Sequence, residues 1–117
     1  MGRPRLPSAE RERVAPVMSY FNSIGALVAN RAISGQLVAS LMGGSVVNAW
    51  QALSPFIYAE RERRGGDEVY YGYFEHLAAV VREMGPAQLH ASLGLKRLPP
   101  GFADPHGAPG RRRRAQG

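Results

Sequence analysis

Apolar residues between positions 14 and 84 recur at helical rather than strand spacing. In Ser45–Arg64, Val46, Trp50, Leu53 and Ile57 fall at i, i+4, i+7 and i+11, which is one face of an α-helix. Val47, Ala49 and Phe56 widen that face, and Asn48, Gln51 and Ser54 lie off it. The Gly43-Gly44 pair predicts a break just before it, with Ser45 as the cap. Pro55 falls inside the segment. It lacks an N–H and its ring crowds the carbonyl one turn back, at a cost of roughly 3 kcal/mol in a helix interior. The apolar stripe keeps its phase across Pro55, so the expectation is one continuous helix kinked there. The alternative is a new cap at Ser54, with Pro55 opening a second segment.

Similar patterns predict four more helical segments. Val14–Asn30 places Val14, Val17, Phe21, Ile24 and Val28 on one face, widened by Met18 and Leu27. Pro16 suits only the start of such a helix, and Gly25 in its interior lets a neighbouring helix come close. Ala32–Met42 is a short helix capped by Ser34, with Ile33, Leu37 and Leu41 on one side and Val38 and Met42 beside them. Gly65-Gly66 breaks the chain again and Asp67 caps Glu68–Met84, whose apolar face is Tyr70, Tyr73, Phe74, Leu77, Val80, Val81 and Met84. Gly85-Pro86 is a stop, followed by a short last helix over Pro86–Leu93. No strand-like alternation and no repeat period occurs. The expected fold is all-α: a small bundle of about four helices with the Trp50 helix at its centre.

Length and composition narrow this picture. With 117 residues there is room for one domain, and a domain of this size buries only ~60–65% of its unfolded surface. The absence of cysteine excludes disulfides, thiolate metal sites and thiol nucleophiles, and fits a reducing compartment. No apolar run approaches the ~20 residues of a membrane span. The N-terminus is positive but lacks the apolar segment of a secretory signal. The expectation is therefore a cytoplasmic protein.

The net charge of +6 changes meaning once it is divided along the chain. Residues 1–13 carry +2, residues 14–95 carry −1, and residues 96–117 carry +5. The organisation expected is a basic lead over 1–13, a helical domain over 14–95, and a disordered basic tail over 96–117, rich in Pro, Gly and Arg.

Candidate chemistry is sparse. His76, His90 and His106 lack metal-site spacing and read as ordinary surface residues. Glu75 and Glu83, eight apart on one helix, have no cleft to serve as an acid/base pair. Gly43-Gly44-Ser45 lacks the Lys and Gly spacing of a phosphate loop and reads as a turn and cap. No catalytic, cofactor or metal residue is assigned, and the chain is not expected to be an enzyme. The ERERR run at 60–64 reads as a solvated helix end whose cations suit the C-terminal dipole. A sharper expectation applies to Arg61 alone, which continues the stripe one turn past Ile57. Its stem packs on the core and its head pairs with a carboxylate, Glu75 or Glu83. Arg111, Arg112, Arg113 and Arg114 are the one run with an evident binding chemistry. Four adjacent guanidiniums neutralise phosphates and release counterions without reading sequence. The competing reading is a plain solvated tail, and acidic lipid headgroups suit the run as well as nucleic acid does.

Across residues 14–84, the order Val17-Met-Ser-Tyr-Phe21, Ile24-Gly-Ala-Leu-Val28, Ile33 leading into Leu37–Leu41, Trp50…Leu53…Pro55…Ile57…Arg61, and Tyr73-Phe74-Glu75-x-Leu77 resembles a bacterial family of small helical proteins. That family is common in actinomycetes and is filed as a numbered domain of unknown function. The Trp-to-Arg segment is the most specific part of the likeness, and it makes Pro55 part of a pattern. Members often carry a further helical or transmembrane segment upstream, where this chain has a short polar lead. The resemblance implies a helical fold and brings no catalytic residue with it. The function expected is a non-catalytic interaction or structural module with a protein partner or a second copy of itself. The alternative is nucleic-acid or polyanion binding through the Arg tail.

Overall fold

Four helices carry the apolar periodicity: α1 (Ser8–Ala29), α2 (Gly35–Arg63), α3 (Gly72–Glu83) and α4 (Pro86–Leu93). The computed structural model describes residues 7–101, and no strand occurs among them. The Arg111–Arg114 run, His106 and most of the expected basic tail lie outside the described residues.

α1 begins at Ser8, with Glu10 in its first turn, and runs unbroken through Pro16 and the segment expected from Val14. Glu12, whose carbonyl the missing Pro16 amide would have bonded, is exposed, so water can take that carbonyl. The buried face is Met18, Phe21 and Gly25. Val17 and Leu27, expected on it, are exposed. At the far end the Asn30 amide and the Asn30 side chain both donate to the Ala26 carbonyl, at 3.0 and 2.8 Å. Arg31 then adopts φ 62° and turns the chain.

α2 runs through two points where a break or a kink was expected. Its N-cap is Ser34, whose hydroxyl accepts the Leu37 amide at 2.9 Å. The predicted gap at Gly43-Gly44 is a distortion inside one helix. Met42 alone leaves helical geometry (φ −149°, ψ 26°), and Ser45 is an interior residue, not a cap. At Pro55 the helix is continuous, as expected, with helical dihedrals and no new cap at Ser54. Pro55 and Gln51 are both exposed, so the ring lies towards solvent and the Gln51 carbonyl can be hydrated. α2 buries Val38, Val46, Leu53, Ile57, Ala59 and Arg61. Leu37 and Leu41, expected to face inward, point out; Leu41 is 70% exposed.

α3 starts four residues later than a cap at Asp67 predicts. The Asp67 carboxylate accepts the Val69 amide at 3.1 Å in a local turn, and Tyr71, at φ 54°, delays the helix until Gly72. The first turn of α3 has no cap of its own. Asn22 of α1 supplies one, its side-chain oxygen accepting the Phe74 amide at 2.9 Å.

Packing places α3, not the Trp50 helix, at the centre. α3 contacts both α1 and α2, which meet each other chiefly through it. Phe74 is fully buried, stacked on Phe21 of α1 at 5.4 Å and edge-on to Trp50 of α2 at 5.1 Å. Trp50 itself is only partly buried. Its indole also meets Tyr58, at 5.8 Å, and so closes one side of the core instead of filling it. The reason lies in volume and approach. Gly25 leaves no side chain between α1 and α3, so the deepest space falls to Phe74, Leu77, Ile57 and Val46. α4 holds on through Leu89 and ends at Gly94 in the left-handed region.

Candidate functional site

The most ordered polar cluster gathers around Arg61, near the C-terminal end of α2. Only 8% of Arg61 is exposed, because it continues the apolar stripe one turn past the buried Ile57. Its Nη1 pairs with Glu75 Oε1 of α3 at 2.9 Å, the first of the two carboxylates named from sequence. Its Nε donates to the Tyr70 carbonyl at 3.0 Å. Its own carbonyl accepts the Gly66 and Asp67 amides at 2.8 and 3.1 Å. Arg61 therefore ties α2, the 65–71 turn and α3 together, while Nη2 is buried with no hydrogen-bond partner. Tyr58, one turn earlier, lies under the guanidinium at 5.4 Å. Its hydroxyl reaches towards Glu75 Oε2 at 3.4 Å, a long contact. Burial, and then the Glu75 charge, push the Tyr58 phenol up from its ordinary value.

The rest of the charged run is a helix-end network. Glu60 accepts from Arg63 at 3.0 Å and from Arg64 at 3.1 Å, and these bonds hold its carboxyl below the usual carboxylate range. Arg64 also stacks over Tyr70 at 4.1 Å. Beside Arg61 an open groove of about 800 Å³ is bordered by Tyr58, Glu62, Glu68, Glu75 and His76. His76 stands there exposed, and Glu83 lies elsewhere on α3, also exposed. Among the described residues no group of three or more His, Asp or Glu could hold a metal ion. None of the helices there is long and apolar enough to cross a membrane.

A second concavity shares no lining residue with the groove beside Arg61. The stretch of α2 on both sides of Met42, the end of α3 and α4 border an apolar cleft of about 560 Å³. Gly43 and Gly44, next to the distortion at Met42, are among its lining residues.

The matched stretch of a family model decides the kinship: residues 3–81 fit the family described as Domain of unknown function (DUF4760). The chain belongs to that family. The DUF4760 match takes in α1, α2 and nearly all of α3, including Trp50, Pro55, Arg61 and Glu75, and leaves α4 beyond it. No curated protein and no solved structure matches this DUF4760 chain.

Of the residues singled out by sequence, Trp50, Arg61 and Glu75 converge on the α2–α3 seam. Pro55 stands on the exposed side of α2 and touches none of this. Tyr58, Tyr70 and Asn22 join these contacts from outside the residues that the sequence singles out as sites. Tyr58 at i−3 from Arg61 was visible on a helical projection. The Tyr70 carbonyl and the Asn22 cap depend on tertiary geometry and left no sequence signal.

Proposed function

We propose that this DUF4760 domain is a non-catalytic interaction module that works in the cytoplasm through the first arm of α2. The observation that carries this is the pair Leu37 and Leu41. They lie four residues apart on one helix face and are both exposed, while Val38 beside them is buried. An uncovered apolar helix face is the mark of an association surface. The titratable groups support the same reading from the other side. Tyr58, Arg61 and Glu75 are engaged with one another and with backbone, an arrangement suited to holding helices together. A second copy of this chain is the partner that can be tested first. Light scattering across a range of concentrations should show self-association that Leu41→Glu abolishes without loss of helicity. A wild-type chain that stays monomeric at every concentration would refute self-association.

The charge of the C-terminal stretch supports a second reading, polyanion binding through Arg111, Arg112, Arg113 and Arg114. Residues 96–117 carry +5 against −1 for residues 14–95. Binding to double-stranded DNA that falls steeply with salt, and vanishes when residues 99–117 are deleted, is the expected outcome. Retention of binding after that deletion would remove the tail from consideration.

A further inference from the structure

We infer that the cleft between α2, α3 and α4 is a binding site for a single-chain anionic amphiphile, a free long-chain carboxylate. The cleft measures about 560 Å³, within the ~300–1,000 Å³ range of small-molecule sites. Its walls include Val47 of α2, Val81 of α3 and Leu89 of α4, three apolar side chains from three helices. Gly43 and Gly44 expose backbone along the α2 side, and α2 leaves helical geometry at the residue before them. A Cβ on Gly43 would press on Val81 at 3.3 Å, so this glycine sets how closely α2 and α3 approach beneath the cleft. The charged and titratable residues lining the cleft are Arg82 and His90, both exposed, and no carboxylate lines it. An apolar body with an anionic head fits that distribution: the chain lies along Val47, Val81 and Leu89, and the head pairs with the Arg82 guanidinium in the planar geometry carboxylates favour.

Charge also selects among the other occupants. The segment that follows α4 in this chain is strongly basic, at +5 over residues 96–117. It would bring cations to a rim that already carries Arg82. A carboxylate head meets that rim with the opposite sign. Occupation by residues 102–117, or by a second copy of the chain, therefore stands as a counter-outcome of the test.

The test uses dodecanoate, kept below its micelle concentration, against the full chain, read by calorimetry and by backbone amide shifts. Saturable binding is expected, with shifts confined to residues 39–48 and 81–95. Dodecyltrimethylammonium, of equal chain length and opposite charge, should bind at least about tenfold more weakly. Arg82→Glu should weaken dodecanoate by about tenfold or more. Ser40→Trp, at an exposed position on the cleft wall, should block it while the amide spectrum stays folded. Equal binding of the two detergents, or indifference to Arg82→Glu, overturns the proposal. So do shifts centred on Leu37 and Leu41, binding that weakens as the chain self-associates, and binding that appears only after residues 102–117 are removed. No binding by the full chain overturns it as well.

Discussion

Gly25 in α1 lies against the backbone of Tyr73 in α3. A Cβ built on Gly25 would sit 2.6 Å from the Tyr73 carbonyl carbon, closer still to its oxygen, and 3.3 Å from the Leu77 Cβ. The obstacle is backbone, which cannot rotate aside as a side chain can. In an exposed helix, Gly→Ala stabilises by roughly 0.5–1 kcal/mol; here overpacking reverses the sign. Gly25→Ala is expected to destabilise by about 2–3 kcal/mol, seen as a lower urea midpoint. Gly44→Ala is the internal control. A Cβ there meets nothing within 4 Å, so the midpoint should hold or rise.

Three residues before Gly25, Asn22 points into the start of α3 and caps it from another helix. Asn22→Ala leaves the Phe74 amide without its acceptor and should cost ~1 kcal/mol. Asn22→Asp keeps an oxygen there and adds a charge favoured by the helix N-terminus, so it should retain most of the stability. Amide exchange at Phe74 gives a local reading: protection should fall in Asn22→Ala and persist in Asn22→Asp.

The difference between what periodicity predicted and what the fold contains follows from these two contacts. Five helical segments were legible because apolar spacing and the Ser34, Gly85-Pro86 and Gly94 punctuation are local signals, and the two segments on either side of Gly43-Gly44 are joined as α2. Gly25 was legible as a close approach for the same reason, since a glycine inside a helix needs an explanation. The choice of central helix was not legible. Trp50 is the largest apolar side chain, yet partial burial suffices for an indole closing a seam, and Phe74 takes the deepest place. Leu37 and Leu41 misled because apolar spacing marks a helix face without saying whether anything covers it. Tyr71 delays α3 through a left-handed dihedral, rare outside glycine, so Asp67 closes a local turn and does not cap the helix. At the candidate site, Arg61 was readable from its place on the apolar stripe. Its contact with the Tyr70 carbonyl was not, because a backbone acceptor leaves no trace in residue type.

Arg61 offers a sharp contrast with its neighbours in the same charged run. Arg61→Ala removes a buried stem, the bond to the Tyr70 carbonyl and the pair with Glu75. Glu75 is about two-fifths exposed, so screening discounts the pair itself. The loss of packing and the orphaned carbonyl carry most of the effect, ~2 kcal/mol. Arg63→Ala disturbs a surface contact to Glu60 and should stay within about 0.5 kcal/mol. Melting temperatures of the two variants decide this. Equal shifts would mean that Arg61 holds nothing beyond what any arginine at a helix end holds.

Stability should decline at both ends of the pH scale for separate reasons. Burial raises Tyr58 and Tyr70 above their ordinary value of 10.0, helped by the Glu75 charge at Tyr58 and by Tyr71 at Tyr70. Below pH 10 both phenols are protonated whether the chain is folded or not, and their contribution is complete. Above it the unfolded chain ionises first, binds fewer protons than the fold, and gains on it until the folded phenols titrate. Glu60 behaves oppositely. The Arg64 and Arg63 bonds lower it from 4.5, so its contribution is present above that value and is lost as pH falls through the folded one. Tyr58→Phe should make the alkaline limb of a stability profile shallower, leaving the Tyr70 share, and leave the acid limb unchanged. Glu60→Gln should flatten the acid limb alone. Urea midpoints at pH 3, 7 and 11 for the wild type and the two variants test both signs at once, because a variant that shifted both limbs together would be reporting a global loss of packing.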